Sequence, residues 1–311
     1  MIVKTLLSCL TIDTSLSSQI QIVSTVFVSC KTQQNGGAVF TRNRNQNISF
    51  YYSSFYRCEA VGYGGGICIH ESDRLWMNSL CFSECIAYSG PGYLVWGHFT
   101  NHVGFSHCNL TNENNPKQTN GASTMYSYNE INYNFNNVSS SNTIYANSNV
   151  IFGLSREGVC GRFSTFANGL GNGMIGFYPT AGSTSTCQTE QNNFVNCSHN
   201  ANYGLILCYF NGNSIINQCI FVKCSISKFI TFFDTYVGTC TISNCLFDFD
   251  YQNILSSNAN VISCSFVSTP DWINHQVLNT NICWTHTPTI AQTLNVFPHS
   301  FTIPFLFYLI I

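Results

Sequence analysis

The chain has 311 residues, 45% of them hydrophobic and only 8% charged, with a formal net charge of −2. Its basic residues are scattered apart from the local pair Arg42 and Arg44, which excludes a nucleic-acid partner, since that needs clustered Lys and Arg. Seventeen Cys occur without a single C-x-x-C, which excludes the common zinc frameworks.

Residues 1–19 open with MIVKTLLSCLTI, a short apolar run broken by Ser8 and Cys9. A signal peptide has a longer apolar core and a small-residue cleavage site. The segment reads instead as a strand in an N-terminal partial coil or cap, with Leu6 to Ile12 at the place of a post-glycine strand.

From residue 20 a repeat sets in. The pattern F-x-x-C occurs at Phe27-Cys30, Phe55-Cys58, Phe82-Cys85, Phe105-Cys108, Phe194-Cys197 and Phe221-Cys224. Degenerate copies start at Phe135, Phe166 and Phe247. Spacings run from 23 residues (Phe82 to Phe105) to 31 (Phe135 to Phe166). A period in this range is a solenoid signature. Twelve residues after the first three anchors stand Val39, Ile67 and Leu94, each behind a glycine-containing turn. An alternating segment such as NISFYYSSF precedes each anchor, so residues at minus two and zero share a strand face. The period holds two or three short strands and no helix of ordinary length. The leucine-rich repeat has a similar period but needs L-x-x-L-x-L, which is absent. The fold class is therefore all-β, a right-handed parallel β-helix solenoid of about nine coils over residues 20–268.

Within the array, residues 109–134 read as an Asn-rich insertion, broken by Pro116 and Gly121. After Thr269 the period fades, and residues 269–311 form an irregular segment ending in FTIPFLFYLII. Eleven apolar residues are too few to cross a bilayer, which takes about 20. Two readings stand: the start of a truncated span, the one route to a membrane, or a plug over the last coil.

GGAVF at 36–40 and GGGICI at 64–69, paired with F-x-x-C, resemble the repeats of the polymorphic outer membrane protein (Pmp) family, in a variant similar to trichomonad-type protist surface proteins with Cys in the usual Asn slot. The resemblance covers about residues 20–270. It implies a right-handed β-helix, a cell-surface location, and adhesion to a host-cell protein or glycan. No autotransporter barrel follows in this sequence.

The cysteines Cys30, Cys58, Cys85, Cys108, Cys197 and Cys224 share one repeat slot, and Phe27, Phe55, Phe82, Phe105, Phe194 and Phe221 share another. Together they are the expected core ladder. Packing of reduced thiols, rung-to-rung disulfides and metal binding are the three readings of the Cys slot. The inward stack favours packing, since buried Cys behaves as a small hydrophobe. No cofactor or metal is expected.

A glycan-active β-helix enzyme needs clustered carboxylates stacked on successive coils: a paired acid and base for hydrolysis, or a calcium-binding Asp group with an Arg or Lys base for elimination. The 13 acids do not align: Asp248 and Asp250 share a strand face without counterparts one coil earlier, and Asp234 stands alone. The expectation is a non-enzymatic adhesion, recognition or structural solenoid. A divergent pectate-lyase- or polygalacturonase-like enzyme is the alternative, and a fragment of a larger surface protein the third reading. Loops on a rigid scaffold are where binding concentrates. The expected contact loop therefore lies in the insertion, at Asn112, Asn114, Lys117, Tyr126, Tyr128 and Tyr133, the tyrosines being suited to contact surfaces.

Overall fold

The computed structural model describes residues 4–6, 10–12, 19–42, 46–89, 95–98, 101–111, 125–136, 138–141, 149–171, 173–179, 186–199, 205–208, 213–225, 230–232, 239–249, 259–271 and 273. These residues form an all-β solenoid of parallel sheets, with no helix among them.

One turn shows how the sequence makes the coil. Asn47–Tyr51 is a five-residue strand with Ile48 and Phe50 buried and its alternate positions half-buried. Tyr52 then takes a left-handed backbone (φ 51°) and turns the chain through a corner while its N–H still donates to Asn78 O at 3.1 Å. Ser53 points inward, and Ser54–Tyr56 forms a short strand with Phe55 in the core. Arg57 is left-handed in its turn (φ 52°), and Cys58 points inward after it. Glu59–Ala60 is a two-residue strand, the glycine turn follows, and Ile67–His70 completes the circuit. Side chains on a strand alternate between faces, so each strand contributes a fixed inward set.

Successive turns pair in register. Asn47–Tyr51 lies parallel between Gln19–Val23 and Arg74–Asn78, with Ile48 opposite Ile20 and Leu75. The short strands make an 11-stranded parallel sheet in strict chain order, from Lys4–Leu6 to Ser265–Phe266. The long and post-glycine strands make a second sheet of 17 strands. Leu6 pairs with Phe27, and Leu10–Ile12 with Val39–Thr41, so the N-terminal strands occupy a rung. The glycine turn is explained by its geometry. Gly36 and Gly64 have φ of 71° and 64°, and a Cβ on Gly37 would lie 1.9 Å from Gly65 O.

The aromatic ladder is real but differs from the expected one. Phe27, Phe55 and Phe82 stack at 4.8 and 4.6 Å, and Phe166, Phe194, Phe221 and Phe247 at 5.2, 4.8 and 4.9 Å. Between the two runs the register places Leu110 and Ser140. Phe105 belongs to another row, in line with Phe50, Met77 and Phe135 on the long strands. Cys108 accordingly follows Leu80 and Ser53 at the first corner, not Cys30, Cys58 and Cys85 at the second. Both corners use the same device: a strand, a left-handed residue, then a small inward residue. F-x-x-C therefore fits either corner, and counting from Phe82 to Phe105 shifts the phase by one corner. Likewise Val95, not Leu94, pairs with Ile67; Leu94 lies outside the described residues.

The expected 109–134 loop is also narrower. Asn109–Thr111 is a strand, and Met125–Asn136 is a 12-residue strand paired with Val95–His98 and His102–Ser106. Its YSYNEINYNFN alternation satisfies strand period despite the asparagines.

Past the array, Pro270 is buried and the chain returns to the short-strand sheet at Asn193–Val195. The Asn193 side chain brackets Ile273: Nδ2 donates to Ile273 O at 2.9 Å, and Ile273 N donates to Oδ1 at 3.2 Å. The apolar tail lies outside the described residues.

Candidate recognition groove and the cysteine columns

The outward faces of the long strands from Gln19–Val23 to Met125–Asn136 form a groove of about 560 Å³. Its lining follows strand period: Gln19 and Gln21, then Asn47, Ser49 and Tyr51, then Arg74 and Trp76, then His102 and Gly104, then Asn134. Trp76 is its centre, 44% exposed. The indole lies across the next rung at Gly104, where an added Cβ would fall 2.1 Å from Trp76 Cζ3. Trp76 and Gly104 are register partners, so the bare backbone at Gly104 makes room for a flat aromatic ring. The other described tryptophan, Trp96, is buried and stacked on Tyr63 at 4.8 Å.

Three ion pairs elsewhere run from rung to rung: Lys31 with Glu59 at 2.9 Å, Arg57 with Glu84 at 2.6 Å and Arg162 with Glu190 at 2.8 Å. Arg74 is exposed and has no ion pair among the described residues, and the groove lining contains no carboxylate. Neighbouring Asp73 accepts from Asn101 Nδ2 at 3.0 Å. Asn47 Oδ1 is buried and accepts no hydrogen bond among the described residues. Leaving such an acceptor unsatisfied costs about 1–3 kcal/mol.

The residues singled out from sequence fall elsewhere. Asn112, Asn114 and Lys117 lie outside the described residues. Tyr126, Tyr128 and Tyr133 stand on the long Met125–Asn136 strand, in register with Trp96, His98 and Val103, rather than on a loop. Asp248 accepts from Lys223 N at 2.7 Å, so its carboxylate holds a left-handed corner; Asp234 and Asp250 lie outside the described residues.

All six phenylalanines of the expected ladder are buried, as are Cys30, Cys58, Cys85, Cys108 and Cys197. Cys224 is half-buried and packs against the core. All six cysteines are free thiols. The inward thiols of Cys58, Cys85, Cys197 and Cys224 at the second corner reach back to the carbonyl of the anchor one rung earlier. Cys85 Sγ donates to Phe55 O at 3.5 Å, Cys197 to Phe166 O at 3.3 Å and Cys224 to Phe194 O at 3.4 Å. At the first corner the inward side chain accepts from the backbone of the rung before. Thr25 N donates to Ser53 Oγ at 3.2 Å, Ser164 N to Asn192 Oδ1 at 2.6 Å and Cys219 N to Cys245 Sγ at 3.4 Å. Apart from Leu80 and Val138 at the first corner, small side chains with a polar atom recur in the columns because they both pack and satisfy corner backbone groups.

Burial pushes the Cys58 thiol far up and the Cys108 thiol up to about 12. In the Cys197–Cys224 pair, the mutual interaction of the two thiols pushes Cys224 up and Cys197 down. Buried thiols held neutral are poor nucleophiles and poor metal ligands. Cys81 differs: it is disulfide-bonded and sits on the outward side of its short strand, where sequence spacing did not single it out.

No family model matches the chain, and neither a curated protein nor a solved structure matches it.

Proposed function

We propose that the chain is a non-enzymatic recognition solenoid that binds through the Trp76 groove. The observation that carries the reading is the exposed indole laid on Gly104 within a polar, carboxylate-free face. An aromatic platform ringed by a few polar groups is the usual make-up of a binding site. Paired strands hold it rigidly, which limits the ordering cost of association.

The finer features of the proposal are a right-handed coil, the hand that parallel crossovers take, and about nine turns at the sequence period. The Pmp-like repeats support a place at the cell surface, with a host-cell glycan or protein as partner. The alternative, a glycan-cleaving enzyme, needs two carboxylates flanking the scissile bond for hydrolysis, or a calcium-binding group of carboxylates for elimination. The groove lining supplies none.

The test is binding of a surface-displayed chain to host cells and to a panel of glycans. Trp76→Ala should reduce binding at least tenfold, and deletion of 112–124 should leave it unchanged. The reverse pattern would return the contact to the insertion, and cleavage of a polysaccharide by the purified chain would establish the enzyme.

A further inference from the structure

We infer that the ligand of the groove is an anionic saccharide, with one sugar ring stacked on Trp76 and its negative group held by Arg74. The inference rests on the recognition reading above and names its ligand class.

Three features of the site lead there. Trp76 offers a flat, exposed face whose negative π-surface suits the C–H side of a pyranose ring. The lining presents side-chain amides and hydroxyls, at Gln21, Ser49 and Asn134 among others, that can pair with sugar hydroxyls. The exposed guanidinium of Arg74 has no ion pair among the described residues and no carboxylate in the lining, so the groove has a preference for negative charge. A planar fork of donors matches carboxylate or sulfate oxygens in pairs.

A peptide fits less well. The groove lies on the face of the strands, and all of them but Gln19–Val23 are paired on both sides, so their backbone groups are spent in the ladder. An added peptide strand needs a free sheet edge. What the face does present is side-chain amides and hydroxyls, at Gln21, Ser49 and Asn134 among others, which suits a ligand dense in hydroxyls.

The experiment is equilibrium binding of the purified full chain to four probes. These are a uronate oligosaccharide, the same oligosaccharide with its carboxyls reduced to alcohols, a sulfated form of the reduced one, and an acidic peptide of equal charge. The expected result is about tenfold tighter binding of the uronate or the sulfated probe than of the reduced one. The stronger of the two identifies the source of the negative group. Arg74→Gln should abolish that preference, bringing the anionic and reduced probes to equal affinity, and Trp76→Ala should weaken all three saccharides. Both variants are surface changes, and an unchanged circular dichroism spectrum verifies their fold. Equal affinity for anionic and reduced probes overturns the inference but leaves the recognition groove standing, provided Trp76→Ala still weakens binding. A preference that survives Arg74→Gln, tighter binding of the peptide, or no Trp76-dependent saccharide binding also overturns it, the last together with the groove itself.

Discussion

The rings of Phe194 and Phe221 lie 4.8 Å apart and 3° from parallel, each fully buried. Their spacing equals the separation of hydrogen-bonded strands, so one ring cannot move without opening a gap against two others. Phe221→Ala should cost about 3–5 kcal/mol in denaturant unfolding. Phe266→Ala, at the exposed end of the same row, should change stability by about 0.5 kcal/mol or less. Equal effects at the two positions would mean that the stack contributes nothing beyond its row.

Gly161 carries a second core prediction. A Cβ there would sit 1.8 Å from Cζ of Phe135, its buried register partner. Gly161→Ala should destabilise by about 1–3 kcal/mol. Gly104→Ala is the surface counterpart. There the obstacle is the exposed, movable indole of Trp76, so unfolding should change little while ligand binding falls with the tilted ring.

Thiol reactivity should follow the columns. Cys30, Cys58, Cys85, Cys108 and Cys197 should resist alkylation in the native chain and react after denaturation, with the half-buried Cys264 labelled before them. Rapid native labelling of Cys58 would contradict its buried, carbonyl-bonded state.

Alkaline pH tests the same thiols by linkage. Cys58 and Cys108 are raised in the folded chain above the ordinary thiol range. Their stabilising contribution is complete below about pH 8.5, where the unfolded thiols are still protonated. Above that the unfolded chain loses protons that the folded chain keeps. Stability should therefore fall by up to about 1.4 kcal/mol per pH unit per buried thiol, toward pH 12. Replacing Cys108 with Ala should lower stability at neutral pH and flatten that alkaline decline.

Asn193 predicts the behaviour of the returning segment. With both of its amide atoms on the Ile273 backbone, Asn193→Ala should release the chain after Pro270. Limited proteolysis should then cut near residue 273 while the array itself stays protected.

Much of this fold was legible in the chain because inward positions repeat every coil. The Phe stacks, the glycine turns and the inward cysteines all follow from one period. The phase was not legible, because two corners per coil present the same local sequence, and Phe105-Cys108 matches the motif at the other corner. The asparagines of Met125–Asn136 were misread as loop because Asn commonly marks turns, whereas parallel pairing on both sides holds this stretch extended. The recognition groove left one readable trace: Trp76 stands one period before Gly104, an aromatic facing an absent side chain. That trace gains meaning only once the register is known.

The left-handed corners carry a consequence for how such a chain can change. Among the described residues, sixteen non-glycine residues adopt positive φ, all but Glu71 at the two corners, and they include Ser, Tyr, Arg, Glu, His, Phe, Asn, Gln and Lys. They share a backbone shape and no chemistry. All but Ser79 are exposed or half-buried. A corner of this kind costs about the same for most residue types and less for glycine. Selection can therefore rewrite two columns of side chains along the molecule, one position at a time, while every buried contact stays as it was. A surface built in this way can diversify against a changing partner, or escape one, without the chain having to solve its folding again.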